Sequence, residues 1–303
     1  MKTSRMKLLL AFAAVYVIWG STYLAIRYAI ETIPPFLMMG IRSLIAGSAL
    51  YLWSYKKGER VRKGQLLPLL LLGILFFLLG HGLLAWAQRI VASGIAAILS
   101  VSDPLWIGLL ESFTIKEFRL NRKQIAGLFL GFAGVGLLFF PTSGAMTLQI
   151  NPFGAFIILM SAISWSVGAV YSRVAKLPKS AFLSAGLELI IGGILLCIVS
   201  WVTGELKNFH LSMISLRSSL ALAYLVIFGS IITFTAYVWL LTMTTATRVA
   251  THTYVNPVIA VLLGWVFAGE RFTLLTLFAC SVIVFSVYLM LESKQKRPTS
   301  EKI

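Results

Sequence analysis

The 303-residue chain has few charged side chains, and acidic ones are the scarcest. Charged residues make up 12% of the sequence, and the ten acidic residues include a single aspartate, Asp103. A water-soluble domain carries about 25% charged residues, so this composition excludes an ordinary soluble protein. Three histidines and two cysteines are also too few for an ordinary metal site, hydrolytic site or disulfide framework, and no cofactor is expected.

The chain is instead rich in long apolar runs: 59% of its residues are hydrophobic and its mean hydropathy is +0.91. A helical bilayer crossing takes about 20 apolar residues. Runs of this length are too long for barrel strands and show no two-residue alternation, so we expect an all-α integral membrane protein with ten transmembrane helices. Charge clusters and breaks at Pro, Gly or polar residues mark off the predicted spans at 8–29, 36–55, 66–88, 93–112, 124–141, 152–172, 180–203, 217–240, 248–268 and 272–292.

Basic residues are unevenly distributed over the segments that join these spans. Twenty of the 26 Lys and Arg residues fall on the side of the N-terminus, and the other side holds only Arg89, Lys207, Arg217 and Arg271. Because cytoplasmic loops carry an excess of Lys and Arg, we expect both termini in the cytoplasm. The net charge of +16 then follows from topology, and no nucleic-acid partner is implied.

The two halves of the chain resemble each other. Residues correspond at an offset of 146 and then of 153, as in the pairs Trp19 and Trp165, Arg27 and Arg173, Asp103-Pro104 and Asn256-Pro257, and Glu117 and Glu270. Five spans is an odd number, so the second copy must enter the membrane from the opposite side, as in the inverted repeats of alternating-access transporters. The predicted units are a first repeat at 8–141, a second repeat at 152–292 and a basic cytoplasmic tail at 293–303.

Three motifs resemble the two EamA domains of the drug/metabolite transporter superfamily, nearest the YedA-like bacterial inner-membrane permeases. They are Ile18-Trp19-Gly20-Ser21-Thr22-Tyr23, Ser93-Gly94-Ile95-Ala96-Ala97 with Pro104, and the run from Tyr254-Val255-Asn256-Pro257 to Gly269-Glu270-Arg271. The resemblance implies two five-helix halves and a central cavity walled by spans 1, 3, 4, 6, 8 and 9, in a protein that exports small metabolites, amino acids among them. The first copy departs from the pattern, because Lys116-Glu117-Phe118 stands where Gly-Glu-Arg is usual.

Polar residues in spans 4 and 9 are the first candidates for the cavity. Ser100 and Asp103 share one face of span 4, and Thr253 and Asn256 repeat this pattern in span 9. Ionisable groups inside a membrane cost about 2.5–3.5 kcal/mol to insert, so they usually face protein or water. The alternative is that Asp103 and Asn256 bond to each other and hold the halves together.

His81 in span 3 is the second candidate, because a histidine can change charge near neutral pH. Together with Asp103 it could exchange protons during transport, whereas the alternative role is an interhelical hydrogen bond. His252 lies closer to a span end and is a weaker candidate.

Aromatic residues complete the predicted cavity. Trp19 and Trp165 occupy matching positions in spans 1 and 6, with Tyr23 one turn after Trp19 and Tyr237 in span 8. Tryptophan faces can form an apolar wall or hold a cation, although packing alone would also explain them. The candidate substrate-cavity residues are therefore Trp19, Tyr23, His81, Ser100, Asp103, Trp165, Tyr237, Thr253 and Asn256.

Two further features concern assembly. Arg42 and Glu188 are opposite charges at equivalent positions of spans 2 and 7, which predicts an interhelical salt bridge between the halves. Gly127 and Gly131 form a GxxxG pattern that favours close helix packing, within one chain or in a homodimer.

These observations predict a secondary transporter of small organic solutes in the bacterial cytoplasmic membrane, with the bilayer and a small-molecule substrate as its partners. A multidrug or lipophilic-cation exporter is the alternative that the same aromatic residues and Asp103 would serve. The sequence has no Gly-Lys-Ser/Thr phosphate loop and no cluster of catalytic groups at one membrane face, so neither ATP drive nor a membrane-embedded enzyme is expected.

Overall fold

The computed structural model describes residues 5–114, 121–137, 151–207, 209–243, 249 and 252–291, and this part of the chain is helical, without a β-strand. Two short turns of helix, Lys63–Gln65 and Leu211–Met213, precede the third and the eighth of the long helices. The helices are α1 (Arg5–Ala13, Ala14–Ile18 and Trp19–Ala29), α2 (Pro35–Lys56), α3 (Leu66–Leu72, Gly73–Gly82 and Leu83–Ala87), α4 (Ser93–Ser100 and Asp103–Thr114), α5 (Arg122–Leu137), α6 (Pro152–Ser172), α7 (Ala181–Val202), α8 (Leu216–Tyr224, Leu225–Phe234 and Thr235–Met243), α9 (His252–Ala268) and α10 (Leu274–Leu291).

Seven of these helices, α1 to α4 and α6 to α8, are long and apolar enough to cross a membrane, and α9 and α10 are apolar but shorter in the described residues. Large apolar side chains cover the outside of the bundle: Phe129 is 73% exposed, Trp201 71% and Leu274 86%. Such a surface suits lipid rather than water. The predicted all-α membrane class is confirmed, whereas the count of ten crossings stays a prediction.

Local chemistry sets several helix ends. Pro35 and Pro152 occupy the first positions of α2 and α6, where a missing N–H costs nothing. The Asn151 side chain accepts hydrogen bonds from the backbone N–H groups of Phe153 at 3.0 Å and Gly154 at 3.1 Å. In this way the free donors at the start of α6 are satisfied.

Helices α2 and α7 pack closely through two pairs of glycines. A Cβ added at Gly47 would lie 2.8 Å from the Gly186 carbonyl oxygen, and one added at Gly193 would lie 3.1 Å from the Gly40 carbonyl oxygen. Only glycine lets the two backbones approach so closely. Gly40 therefore meets Gly193 while Gly47 meets Gly186, so the two helices run antiparallel here.

The glycine face of α5 is used within the chain. A Cβ at Gly134 would lie 2.8 Å from the side chain of Ile283 in α10, and one at Gly131 would lie 2.7 Å from the Ser286 hydroxyl. The small residues thus serve the α5–α10 contact, and the homodimer stays a prediction.

Three helices contain stretches of π-helix: Ala14–Ile18 in α1, Gly73–Gly82 in α3 and Leu225–Phe234 in α8. Wider turns leave backbone carbonyls available to other partners. Ser161 of α6 donates to the Gly80 carbonyl at 2.8 Å, and Ser164 donates to the Leu75 carbonyl at 2.9 Å. These bonds join α6 to the π-helical part of α3.

Helix α4 is interrupted in the middle of the bundle. It ends its first segment at Ser100 and begins again at Asp103, which precedes Pro104. Because proline lacks an N–H and restricts the residue before it, a break here is expected. The interruption places Asp103 at the start of a new helical segment, beside α6.

Candidate functional site

A cavity of about 570 Å³, part of it open, lies between α1, α3, α4, α6 and α9. Water-sized molecules reach about 70 Å³ of it, so in this conformation the enclosed space is smaller than that of pockets that hold drug-sized molecules. Its lining consists of Trp19, Thr22, Tyr23, Ile26, Gly80, His81, Leu84, Ser100, Asp103, Ser161, Ala162, Trp165, His252 and Asn256. Seven of the nine predicted cavity residues are in this set, and the other two, Tyr237 and Thr253, are not.

Aromatic rings form one wall of the cavity. The rings of Trp19 and Trp165 meet edge to face, with centroids 5.9 Å apart. Tyr237 of α8 packs behind them, 4.9 Å from Trp19 and 6.1 Å from Trp165. The pairing of equivalent tryptophans therefore joins the first helix of one half to the first helix of the other.

Two titratable residues of the cavity lining, His81 and Asp103, have buried side-chain atoms that are free to bind a ligand. The ring of His81 lies 4.9 Å from that of Trp165. His81 Nδ1 and Asp103 Oδ1 are buried and have no hydrogen-bond partner. An unsatisfied polar atom in a low-dielectric interior is costly, so both atoms are suited to bind a ligand or a proton.

Asp103 is held in place by its backbone. Its carbonyl oxygen accepts a hydrogen bond from Ser166 of α6 at 3.1 Å. Near it, the Ser100 hydroxyl donates to the Ala96 carbonyl at 2.8 Å and interacts with Tyr23. The side chain of Asp103 thus stays available to the cavity while its main chain is fixed.

The side chain of Asn256 bonds to backbone carbonyls of α1 and α9, and not to Asp103 as the structural alternative predicted. In the amide orientation that gives both its oxygen and its nitrogen suitable neighbours, the Asn256 nitrogen donates to the Tyr16 carbonyl at 2.8 Å and to the His252 carbonyl at 3.2 Å. Tyr16 belongs to the π-helical stretch of α1. Asn256 therefore links α9 to α1, and a direct bond between Asp103 and Asn256 is not formed in this structure.

The predicted salt bridge between Arg42 and Glu188 is not formed either. Arg42 Nε donates to the Ser230 hydroxyl of α8 at 2.7 Å, while Glu188 accepts from Ser184, one turn earlier in α7, at 2.8 Å. An added Cβ at Gly229 would lie 3.0 Å from Arg42 Nη2, so a glycine of α8 makes room for the guanidinium. Each charged group is satisfied by a serine instead of by the other charge.

Sequence reasoning gave too little weight to His252. Its ring lies 5.3 Å from Trp19, and its Nδ1 is 2.9 Å from the Val249 carbonyl oxygen. The available signal was the spacing to Asn256, because residues four apart share a helix face. Thr253 is buried one residue further along and does not line the cavity.

Comparison with known proteins finds a transporter family and transporter relatives that match nearly the whole chain. The model of the EamA-like transporter family matches residues 6–140 and again residues 152–292. The chain is 37% identical to the uncharacterized inner membrane transporter YedA of Escherichia coli, over 95% of this chain and 92% of that protein. It is 24% identical to the uncharacterized transporter YoaV of Bacillus subtilis, over 93% of this chain and 96% of that protein.

A solved crystal structure with 23% sequence identity also superposes on this chain with a TM-score of 0.66, covering 95% of this chain and 98% of that one. At that identity the likeness concerns the fold alone.

Proposed function

Because the chain belongs to the EamA-like transporter family, we propose that it is a secondary transporter that exports a small organic solute across the bacterial cytoplasmic membrane by alternating access. The observation that carries this proposal is the cavity, which lies between α1, α3 and α4 of the first half and α6 and α9 of the second. A site at the interface of two halves can be exposed to each face in turn when the halves rock against each other. The E. coli relative bears the name of an inner membrane transporter, which favours that membrane here.

Two features support ten spans arranged as inverted repeats at 8–141 and 152–292. The glycine contacts between α2 and α7 are reciprocal, as two elements related by a twofold axis require. The long π-helical stretches, Gly73–Gly82 in α3 and Leu225–Phe234 in α8, also correspond within one residue of the repeat offset of 153. Neither feature follows from hydrophobicity alone, which any pair of spans would share.

The solute that fits this cavity best carries both a positive and a negative charge, as a neutral amino acid does. Its ammonium group would bind the unpaired Asp103 carboxyl and the tryptophan faces. Its carboxylate would accept hydrogen bonds from His81 and from the cavity hydroxyls, such as that of Ser100. The apolar part of the solute would then contact Ile26 and Leu84.

A lipophilic cation is the second candidate. Among the lining residues Asp103 is the single acidic side chain and none is Lys or Arg, so the fixed charge of the cavity is negative when Asp103 is ionised. An aromatic wall next to one carboxylate is a favourable environment for an organic cation. A solute without a carboxylate would leave His81 Nδ1 without a partner, which distinguishes the two candidates chemically.

His81 and Asp103 are also the residues through which proton movement would accompany export. Both line the cavity and both have an unpartnered buried atom, so a proton and a solute compete for the same groups. At the positions equivalent to His81 and Asp103 the second half has Phe234 and Asn256, and its cavity-lining histidine, His252, already contacts the Val249 carbonyl through Nδ1. Proton exchange would therefore use one half of an otherwise repeated fold.

A flux assay in proteoliposomes tests the proposed function. The purified protein is reconstituted, and uptake and release are measured for a panel of neutral amino acids and organic cations at two pH gradients. Saturable flux of an amino acid above that of empty liposomes supports the first candidate, and flux restricted to cations supports the second. Absence of saturable flux for the whole panel, with correctly folded protein, contradicts both.

The coupling proposal has its own test. His81→Gln and Asp103→Asn keep the size and hydrogen bonding of each side chain but remove its titration. If protons move through these residues, at least one variant should still exchange solute between equal pools while an imposed pH gradient no longer accelerates net flux. An identical response of both variants and the parent to the gradient would show that the residues contact solute or structure only.

A further inference from the structure

Glu270, in the segment between α9 and α10, binds the start of α4. Its Oε1 accepts hydrogen bonds from the backbone N–H and the hydroxyl of Ser93, both at 2.7 Å, and its Oε2 accepts from the Gly94 N–H at 3.0 Å. The Arg27 side chain of α1 lies 3.7 Å from Oε1. We call Arg27, Ser93, Gly94 and Glu270 the outer cluster, since these residues lie at the face opposite the cytoplasmic N-terminus in the proposed orientation.

The chain is shaped to bring Glu270 to this place. Gly269 has a φ of +63°, a left-handed conformation that ends α9 and turns the chain back. The Glu270 N–H then donates to the Gly264 carbonyl at 3.0 Å. A Cβ at Gly264 would lie 3.3 Å from the Ser93 hydroxyl and closer still to the Glu270 carboxyl, so glycine leaves the space that this side chain fills.

The contacts within the outer cluster differ in strength. The Glu270 carboxylate is buried, with 2% of its side chain exposed, and three hydrogen bonds to the first turn of α4 also favour it through the helix dipole. Arg27 is 38% exposed and its contact is long for an ion pair. The contact that breaks most easily is therefore the one between α1 and the rest of the cluster.

A second Arg–Glu pair lies at the other end of the bundle. Arg173, at the end of α6, donates to Glu111 in the second segment of α4. Glu111 is buried, with 8% of its side chain exposed, whereas Arg173 is 47% exposed. We call Arg173 and Glu111 the inner pair, because the repeat places the end of α6 at the face opposite the end of α1.

Both pairs join the two halves in a related way. Arg27 and Arg173 occupy equivalent positions, and each binds a glutamate from the opposite half. The glutamates themselves are not equivalent: Glu111 corresponds to Gly264, and Glu270 corresponds to Glu117, which lies outside the described residues. An ion pair between the two halves thus forms at each end of the bundle, with equivalent arginines but non-equivalent glutamates.

The cavity lies between these two crosslinks. Trp19 precedes Arg27 by eight residues and Trp165 precedes Arg173 by eight, which is about 12 Å along each helix. Separation of α1 from the outer cluster would expose Trp19 and its neighbours to one face, and separation of α6 from Glu111 would expose Trp165 and its neighbours to the other. Both contacts are formed in the present structure.

From this arrangement we propose that Arg27–Glu270 and Arg173–Glu111 are the two gates of the transport cycle, one for each face of the membrane. The proposal rests on the alternating-access function proposed above. Alternating access requires the two gates to break at different times, so loss of one pair favours the conformation that opens at that face. Both arginines are partly exposed to solvent, which weakens each ion pair and lets it break in every cycle.

Thiol labelling in the cavity tests the gates without a substrate. Cys197 and Cys280 are replaced by Ala, and a single reporter is introduced by Ala162→Cys, because Ala162 lines the cavity. The rate of labelling by a membrane-impermeant thiol reagent is measured in right-side-out and inside-out vesicles. The same substitution is made at equivalent positions, Arg27→Gln and Arg173→Gln.

The matched control is Arg217→Gln. Arg217 lies 3.6 Å from Glu31 at the same face as Arg27, but both side chains are well exposed, at 62% and 41%. This control removes an arginine and an ion pair without touching either proposed gate. Arg27→Lys and Arg173→Lys keep the charge and report whether any effect follows from lost charge or from lost fold.

Arg27→Gln should raise labelling from the outer face about threefold or more relative to labelling from the inner face, and Arg173→Gln should change this ratio in the opposite direction. Arg217→Gln and the two Lys variants should stay near the parent. Equal ratios in Arg27→Gln, Arg173→Gln and the parent, or a shift in the same direction in both Gln variants, would overturn the gates even if the flux assay finds transport. Opposite shifts would support the gates even if the panel contains no substrate.

Discussion

At the scale of single residues, the sequence predicts which side chains face the cavity better than it predicts which residues they bond to. The three-residue spacing of Ser100 and Asp103 placed both on one helix face, and both line the cavity. The partner of Arg42 was not predictable, because Ser230 and Glu188 were both polar groups within spans and only the packing of α2 against α8 decides between them. A repeat identifies equivalent residues but not which of them touch.

Trp165 provides the most direct test of the aromatic wall. Its ring contacts Trp19, His81 and Phe76, the last with centroids 4.6 Å apart. Replacement by Phe should keep most of the packing, whereas Trp165→Ala should lower the rate of solute flux about tenfold or more, since each aromatic contact contributes about 0.5–1.5 kcal/mol. Trp201→Ala, at a lipid-facing position that is 71% exposed, is the matched control and should leave flux near the parent.

Flux and folded yield must be compared for these variants. A loss of flux in Trp165→Ala that equals its loss of monodisperse protein would assign Trp165 to packing alone.

Ser100 tests the volume of the cavity. Ser100→Leu adds apolar bulk where the lining is polar, so transport should fall sharply while the melting temperature stays near that of the parent. Ser281→Leu is a close control, because the Ser281 hydroxyl makes the same bond to the carbonyl four residues earlier, at 2.9 Å, but faces outward from α10. Equal flux in the two variants would exclude Ser100 from the substrate path.

At the scale of helices, boundaries followed from the sequence more reliably than internal geometry. Span 6 was predicted at 152–172, and α6 runs from Pro152 to Ser172. A proline at the first position and polar residues at both ends give strong local signals. The π-helical stretches gave none, because Gly73–Gly82 is uniformly apolar apart from His81, and the serines of α6 that bond its carbonyls lie far away in the sequence.

The α2–α7 crossing gives a prediction about stability. A Cβ at Gly47 would lie 2.8 Å from both the Gly186 carbonyl oxygen and the Ile190 nitrogen, backbone atoms that cannot turn aside. Gly47→Ala should therefore lower the stability of the folded protein by about 1–3 kcal/mol, measured as a fall in thermal unfolding temperature in detergent.

Gly136→Ala is the corresponding control, because nothing lies within 4 Å of a Cβ at this position in α5. It should be neutral or slightly stabilising, as alanine is the better helix former. If Gly47→Ala were as stable as Gly136→Ala, the close approach of the two backbones would be wrong.

At the scale of the whole molecule, the sequence repeat does not extend to the titratable residues of the cavity. The equivalent of His81 is Phe234, whose ring packs 5.1 Å from that of Phe77, and the equivalent of Asp103 is Asn256. The first repeat therefore supplies His81 and Asp103 to the cavity, whereas the second supplies His252, Trp165 and Asn256. This difference suits a cavity that must distinguish the ends of one small solute, because a fully symmetric cavity would present the same groups twice.

The orientation of the whole molecule is the last prediction, and it rests on the distribution of Lys and Arg. Leu211, in the segment between α7 and α8, is 78% exposed, and nothing lies within 4 Å of a Cβ at Gly64, between α2 and α3. In a background without Cys197 and Cys280, Leu211→Cys should react with an impermeant thiol reagent added to intact cells, after its passage through the outer membrane. Gly64→Cys should react only after the cytoplasmic membrane is permeabilised. These two segments lie at opposite faces if the chain crosses five times between them, as spans 3 to 7 predict. Labelling of Gly64→Cys but not Leu211→Cys in intact cells would reverse the orientation, whereas equal labelling of both would contradict the odd number of crossings and with it the inverted repeat.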